Sequence, residues 1–229
     1  MIKSFLILIN FSILLFSSQQ IILVVADDFN TSNAKLEFFD DQRRLLFFDV
    51  NIGKNGLAWG IGEINLTQKE NEPLKYEGDK KAPSGVFKLT DIFGYDFTTD
   101  STMPYLHTSK KLICVDDSKS HFYNHVIQAI GDEKSFEYMK RQDAQYELGI
   151  LVSHNKNAIA KRGSCIFLHV QKEHNASTAG CTSMKYENIR KIIKKLDKDK
   201  HPILIQIPKS SAKELLTLYP QLKESQLLH

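Results

Sequence analysis

Short runs rich in β-branched and aromatic residues recur along the chain, and they constrain its fold more than any other feature. Residues 21–25, 36–39, 45–50, 86–89, 148–152, 165–170 and 203–207 each read as a strand. Asp40-Asp41-Gln42 and Pro83-Ser84-Gly85 supply turns between them. One helical period is clean: Ile189, Ile192, Ile193 and Leu196 fall at i, i+3, i+4 and i+7. Ser211 and Glu214 match a capping box that opens a last helix. Residues 122–130 and 133–141 read as two short helices, and residues 91–117 as a loop-rich aromatic stretch beside a cleft. No repeat or low-complexity linker divides the chain, so the class is α+β, mainly β.

The chain of 229 residues opens with Lys3 and an apolar run over residues 5–16, broken only by Asn10 and Ser12. Ser17 and Ser18 follow as small residues suited to cleavage. This reads as a signal peptide over residues 1–18, preceding one domain over residues 19–229. The run is shorter than the ~20 apolar residues of a spanning helix. An uncleaved anchor is the alternative, because residues 21–25 are apolar as well. Cleavage after Ala26 is a third reading, and it would delete the first strand. The expected location is exported, either periplasmic or secreted.

The net charge of +3 gives no concentrated basic face, so nucleic acid is not an expected partner. Arg190-Lys191 and Lys194-Lys195 read as the solvated side of a helix. The three cysteines are Cys114, Cys165 and Cys181. In an exported protein an odd count suggests one disulfide and one free thiol. Three buried, reduced cysteines are the plainer alternative.

The informative segment is Gly163-Ser-Cys-Ile-Phe-Leu-His169-Val, followed by Ser177-Thr-Ala-Gly-Cys181-Thr-Ser-Met184. If its arms pair as an antiparallel hairpin centred on Asn175, residues 169 and 181 stand opposite each other. Their Cβ atoms would then be roughly 4.5–5.5 Å apart, close enough for imidazole to reach thiol. An adjacent imidazole favours the thiolate, which is the reactive form. Gly180 permits backbone geometry that a side chain forbids, and leaves the N–H of Cys181 open to an oxyanion. Thr178 and Ser177 are candidates to orient the loop or to bind substrate. A His and a Cys packed in a buried hairpin remain the structural alternative.

These residues resemble the catalytic motif of L,D-transpeptidase (YkuD-type) domains, in a divergent branch with Thr-Ala-Gly-Cys where Ser-His-Gly-Cys is commoner. Further blocks are similar and stand in the same order: Asn55-Gly-Leu-Ala-Trp-Gly60, Ala82-Pro-Ser-Gly-Val-Phe87, Phe93-Gly-Tyr95, Cys114-Val-Asp-Asp117 with Tyr123-Asn124, and Val152-Ser-His-Asn155. The resemblance implies a β-sandwich-like catalytic domain with peripheral helices. It implies Cys181 as nucleophile and His169 as general base. The implied reaction is acyl transfer on peptidoglycan stem peptides: Cys181 attacks a tetrapeptide stem, D-Ala leaves, and a second stem's amine takes the acyl group. Water as acceptor would make a carboxypeptidase, and a catalytically silent wall-binding domain is the reading from another class. No metal or organic cofactor is implied. Carbapenem-type inhibitors and a monomeric state are expected. The commoner motif has a His before the Gly and an Arg after the Cys, where this chain has Ala179 and Ser183, and its His–Cys spacing is longer.

With Cys181 needed as a free thiol, Cys114 and Cys165 are the disulfide candidates. His154 and Asn155, at the end of the strand over residues 149–152, are candidate substrate contacts. Asp116-Asp117 reads as a site for a substrate amine or a cation, or as a surface turn. The chain lacks the closely spaced ligand pairs of a zinc site.

Overall fold

The computed structural model describes residues 18–229, so the expected signal segment lies outside the described residues apart from Ser18. The strands are β1 (Gln20–Ala26), β2 (Asn33–Asp40), β3 (Arg43–Asn51), β4 (Leu57–Trp59), β5 (Ala82–Gly94), β6 (Tyr105–His107) and β7 (Leu112–Val115). They continue as β8 (Val126–Gln128), β9 (Phe136–Tyr138), β10 (Leu148–Val152), β11 (Phe167–Val170), β12 (Thr182–Met184) and β13 (Ile203–Pro208). Helix α1 (Tyr186–Ile193) lies between β12 and β13, and α2 (Ala212–Leu218) follows β13.

The main sheet runs β10-β11-β12-β3-β2-β1-β13-β5-β4, and β5 also pairs with β10. The ladder therefore returns on itself. Long β5 makes this possible: its residues 85–88 pair with β13, and its residues 89–94 pair with β10. A mainly β, sandwich-like domain results.

Strand β1 is buried along its whole length. It pairs antiparallel with β2 and parallel with β13. Ile22, Val24 and Ala26 face the inner core with Phe38, Phe87 and Leu168, while Ile21, Leu23 and Val25 face a second core under α2. Burial on both faces explains why residues 21–25 form an unbroken apolar run rather than an alternation. Helix α1 puts Ile189, Ile192, Ile193 and Leu196 into the inner core, as their period requires.

Three local expectations are corrected. Residues 122–130 and 133–141 are not helical; they contain β8 and β9, which pair with the two edges of β7 in a separate three-stranded sheet. Phe122, Ile130 and Tyr138 are exposed, so no apolar face existed to hold a helix down. The stretch 91–117 is more regular than expected, because β5 continues to Gly94 and β6 and β7 follow. Ser211 does not cap α2 with its side chain, and Glu214 instead accepts hydrogen bonds from the N–H and hydroxyl of Thr67.

The small sheet lies as a lid over one face of the main sheet, with Leu112 and Cys114 of β7 clustered against Phe167 and Cys181. A disulfide ties Cys114 of β7 to Cys165 just before β11, with Cα atoms 6.0 Å apart and a sequence separation of 51. Asn124 reinforces it: its Nδ2 donates to the carbonyls of His154 and Asn155, and its Oδ1 accepts from the N–H of Cys165. Closing a loop of this length stabilises by up to about 4 kcal/mol in the chain-entropy view. Replacing Cys114 and Cys165 together by Ala is expected to lower the unfolding free energy by about 2–4 kcal/mol in urea melts. Coincident melts for the two proteins would show that the bridge does not constrain the unfolded chain.

Candidate active site

Strands β11 and β12 carry the motif, and they run parallel, with Leu168 opposite Thr182 and His169 opposite Ser183. The expected antiparallel hairpin is therefore corrected. The loop after β11 turns at Asn175 and bonds to the end of β3, where Thr178 N–H donates to Ile52 and Thr178 O accepts from Lys54. The chain then enters β12 in the same direction as β11. Leu168, Thr182 and Met184 point inward, so Phe167, His169, Cys181 and Ser183 share the other face, under the lid. His169 and Cys181 are diagonal neighbours on that face, a spacing of roughly 7–8 Å that long side chains bridge.

Cys181 is the free cysteine and is 8% exposed. Its sulfur accepts from the N–H of Phe167 at 3.3 Å and donates to the carbonyl of Cys165 at 3.4 Å. Burial pushes the thiol up to about 12, with Glu137 adding to the rise; the Phe167 N–H, Lys75 and Arg141 oppose it. His169 is 4% exposed, and its Nδ1 lies 2.8 Å from the carbonyl of Val170. A carbonyl only accepts, so Nδ1 carries the hydrogen and Nε2 keeps a lone pair. Burial holds this imidazole down at about 4, against the carbonyl of Val170, which favours the charged ring. At neutral pH the site thus rests as an uncharged thiol and an uncharged base.

Gly180 has φ of +152°, and a Cβ there would lie 3.1 Å from the carbonyl of Lys81. Glycine meets both demands. Thr178 braces the turn: its Oγ1 donates to the carbonyl of Cys181 at 2.6 Å and accepts from the N–H of Gly180 at 3.1 Å. Those bonds leave the N–H of Cys181 unclaimed by the turn. Ser177 is exposed on the loop. Ser183 is buried beside His169, and its hydroxyl has no partner among the described residues.

His154 and Asn155 are buried, and their side chains are spent on the fold. His154 Nε2 donates to Arg162 O, and its Nδ1 accepts from Ile61 N–H. Asn155 bonds to Ile159 and Gly163. Both therefore shape the segment leading to β11, and neither presents a polar atom to a cleft. Asp116 and Asp117 lie in the lid just after β7, and Asp116 Oδ1 is buried without a partner among the described residues.

Three residues that sequence reasoning passed over complete the surroundings. Tyr146 packs edge-on against His169 with ring centroids 5.3 Å apart, and against Phe167 at 5.5 Å. Its hydroxyl donates to Glu137 of β9, in the lid. Lys75 lies buried behind Gly180. Glu137 was hidden in a stretch read as helix. A cleft of about 970 Å³ borders the catalytic loop, lined by Asn51, Gln171, His174, Asn175, Lys185 and Asn188. It does not include Cys181. No group of three or more His, Cys, Asp or Glu side chains is placed to hold a metal ion among the described residues.

A family profile, that of the L,D-transpeptidase catalytic domain (YkuD), matches residues 22–205. The chain belongs to this L,D-transpeptidase family. No curated protein and no solved structure matches it. The matched span begins within β1, takes in β11, β12 and the lid, and stops within β13. Domains of this family act on peptidoglycan stem peptides.

The buried imidazoles have a consequence for acid stability. His154 and His169 are each held at about 4 by burial, whereas the unfolded chain takes up these protons near pH 6.5. The unfolded state therefore binds more protons between these values, and stability falls as pH drops from about 6.5 to about 4. His169→Gln should flatten part of that fall in denaturant melts at pH 7, 5.5 and 4.5. An unchanged slope would mean that His169 is protonated in the native protein.

Proposed function

We propose that this L,D-transpeptidase domain is an exported cysteine acyltransferase that forms or remodels peptidoglycan cross-links. The observation that supports the reading is that one free thiol, Cys181, and a buried base-form imidazole, His169, lie on the same face of neighbouring strands.

The step balances as follows. Nε2 of His169 takes the thiol proton, and sulfur attacks the carbonyl that precedes the terminal D-Ala of a tetrapeptide stem. The C–S bond forms, and the carbonyl electron pair moves to oxygen, facing the N–H of Cys181. As the C–N bond breaks, the departing amine takes the proton from the imidazolium, leaving a thioester. The side-chain amine of a second stem then attacks. It gives its proton to His169, and the thiolate leaves and is reprotonated. Water as acceptor would release the stem instead. A general base of this kind contributes about 10²–10⁴-fold to rate. Cys181 Sγ and His169 Nδ1 are each bonded to backbone groups, and contacts between nucleophile and base commonly tighten only as substrate binds. The cleft that Gln171 and Asn175 help to line mixes carboxamides with Lys35, Lys185, Asp27 and Asp49, a polar lining that suits the amides and carboxylates of a wall polymer.

Two features support export. The Cys114–Cys165 bridge fits an oxidising compartment. A leader ending at residue 18 leaves β1 intact, whereas cleavage after Ala26 would remove a strand that is paired on both edges.

Intact-protein mass spectrometry with purified tetrapeptide stems tests the reading. A covalent adduct with release of D-Ala is expected for the wild type and not for Cys181→Ala, and a carbapenem should acylate the same residue. His169→Gln should slow adduct formation by about 10²-fold or more. A folded wild type that gives neither adduct nor D-Ala would leave the silent wall-binding domain as the better account.

A further inference from the structure

Lys75 is a charged side chain in a place where charge is costly. Its side chain is 4% exposed and ion-paired with Asp79 at 2.5 Å. Its ammonium also donates to the carbonyl of Tyr76 at 2.9 Å. The backbone is pinned as well, because Lys75 N–H donates to Trp59 and Lys75 O accepts from Arg162. Taking an ammonium out of water is unfavourable, and an ion pair repays that loss only in part.

Gly163 makes room for this side chain and Gly180 lies beside its ammonium, one glycine in each segment that leads into β11 and β12. A Cβ at Gly163 would sit 3.0 Å from Cε of Lys75, and a Cβ at Gly180 would sit 3.8 Å from its Nζ. Gly163 stands two residues before Cys165, whose carbonyl holds the thiol hydrogen, and Gly180 directly precedes Cys181. Asp79 is tied back by the N–H groups of Tyr76 and Lys81. The pair is thus an oriented dipole with its positive end toward the Gly180-Cys181 turn.

We propose that Lys75 is an electrostatic positioning residue of this site, holding the negative charge that develops on the Cys181 sulfur and then on the acyl oxygen. The proposal rests on the acyl-transfer reading above. The acylation step leaves a proton on His169 and negative charge first on sulfur, then on oxygen. In a site closed to water such charge needs fixed positive partners, and preorganised ones need no rearrangement during reaction. The other charged or titratable groups around the thiol are Glu137 and Tyr146, which oppose its ionisation or stay neutral, with His169 and Arg141. Lys75 is the cation that stands beside the Gly180-Cys181 turn.

The test uses the fact that Cys181 is the free thiol of the oxidised protein, so iodoacetamide reports on it alone. Alkylation rates at pH 7, 8 and 9, where the rate follows the small thiolate fraction, would be measured for wild type, Lys75→Met, Lys75→Gln and Lys75→Arg, each checked by near-UV circular dichroism. Met and Gln are expected to slow alkylation roughly three- to ten-fold at every pH, and Arg to bring it back close to wild type. Acylation by tetrapeptide should slow about ten-fold in the Met and Gln variants, with KM little changed. Rates for folded Met or Gln variants that equal wild type would overturn the proposal and leave Lys75 a brace for its turn. If neither variant folds, Asp79→Asn decides. Loss of the counter-charge should speed alkylation, and an unchanged or slower rate would overturn the idea. Alkylation needs no peptidoglycan, so a missing transfer activity with an intact Lys75 effect would fault the functional reading alone.

Discussion

The direction of one strand pairing governs the site. Parallel strands usually need a connection of a dozen or more residues, commonly a helix. Here a loop of similar length, without a helix, joins β11 to β12. It succeeds by bonding to β3 on the way, through Thr178 and the backbone at Ile52 and Lys54. That detour places Cys181 beside Phe167 rather than opposite His169. The thiol is therefore fixed by backbone groups of Phe167 and Cys165, while the base is held by Val170 and Tyr146 one diagonal step away. The glycine at 180 and the braced threonine at 178 are local requirements of the same path.

Dryness is the second theme. The lid sheet, the bridge and Asn124 close over the shared face of β11 and β12. Burial then acts in opposite directions on the two reacting groups, raising the thiol and lowering the imidazole. An ion pair between them is disfavoured at rest, so charge appears only as the reaction proceeds. The partners fixed around the site, namely the Phe167 N–H, the Cys181 N–H and the Lys75–Asp79 dipole, matter most in such a medium because little water screens them.

Much of the fold was legible because it rests on period and burial. The apolar run of β1, the turn at Asp40-Asp41-Gln42 and the buried stripe of α1 are all local statements that tertiary packing left alone. The lid was misread because its short strands have no apolar period of their own; β7 holds them through backbone bonds, to which sequence pattern is nearly silent. The pairing direction of β11 and β12 was equally hidden, since the signals around Asn175 suit a tight hairpin and a detour alike. Cys181, His169 and Gly180 could be named from a resemblance. Lys75 could not, because Lys75-Tyr-Glu-Gly-Asp79 looks like any solvated charged turn until Gly163 and Gly180 are seen to open onto it.

Strand β1 also gives the domain a polarity. From Gln20 to Ala26 it climbs about 20 Å at the rise of an extended chain. Gln20 begins at the end where Asp40 turns back and where its amide clasps Lys195 and Asp197. Ser183 pairs with Asn51, which itself pairs with Asn33, so the catalytic motif lies beyond the opposite end of β1. The described chain therefore joins the sheet at the end of β1 remote from Cys181 and Ser183, so a label fixed at Ser18 would lie about a strand's length from the candidate site.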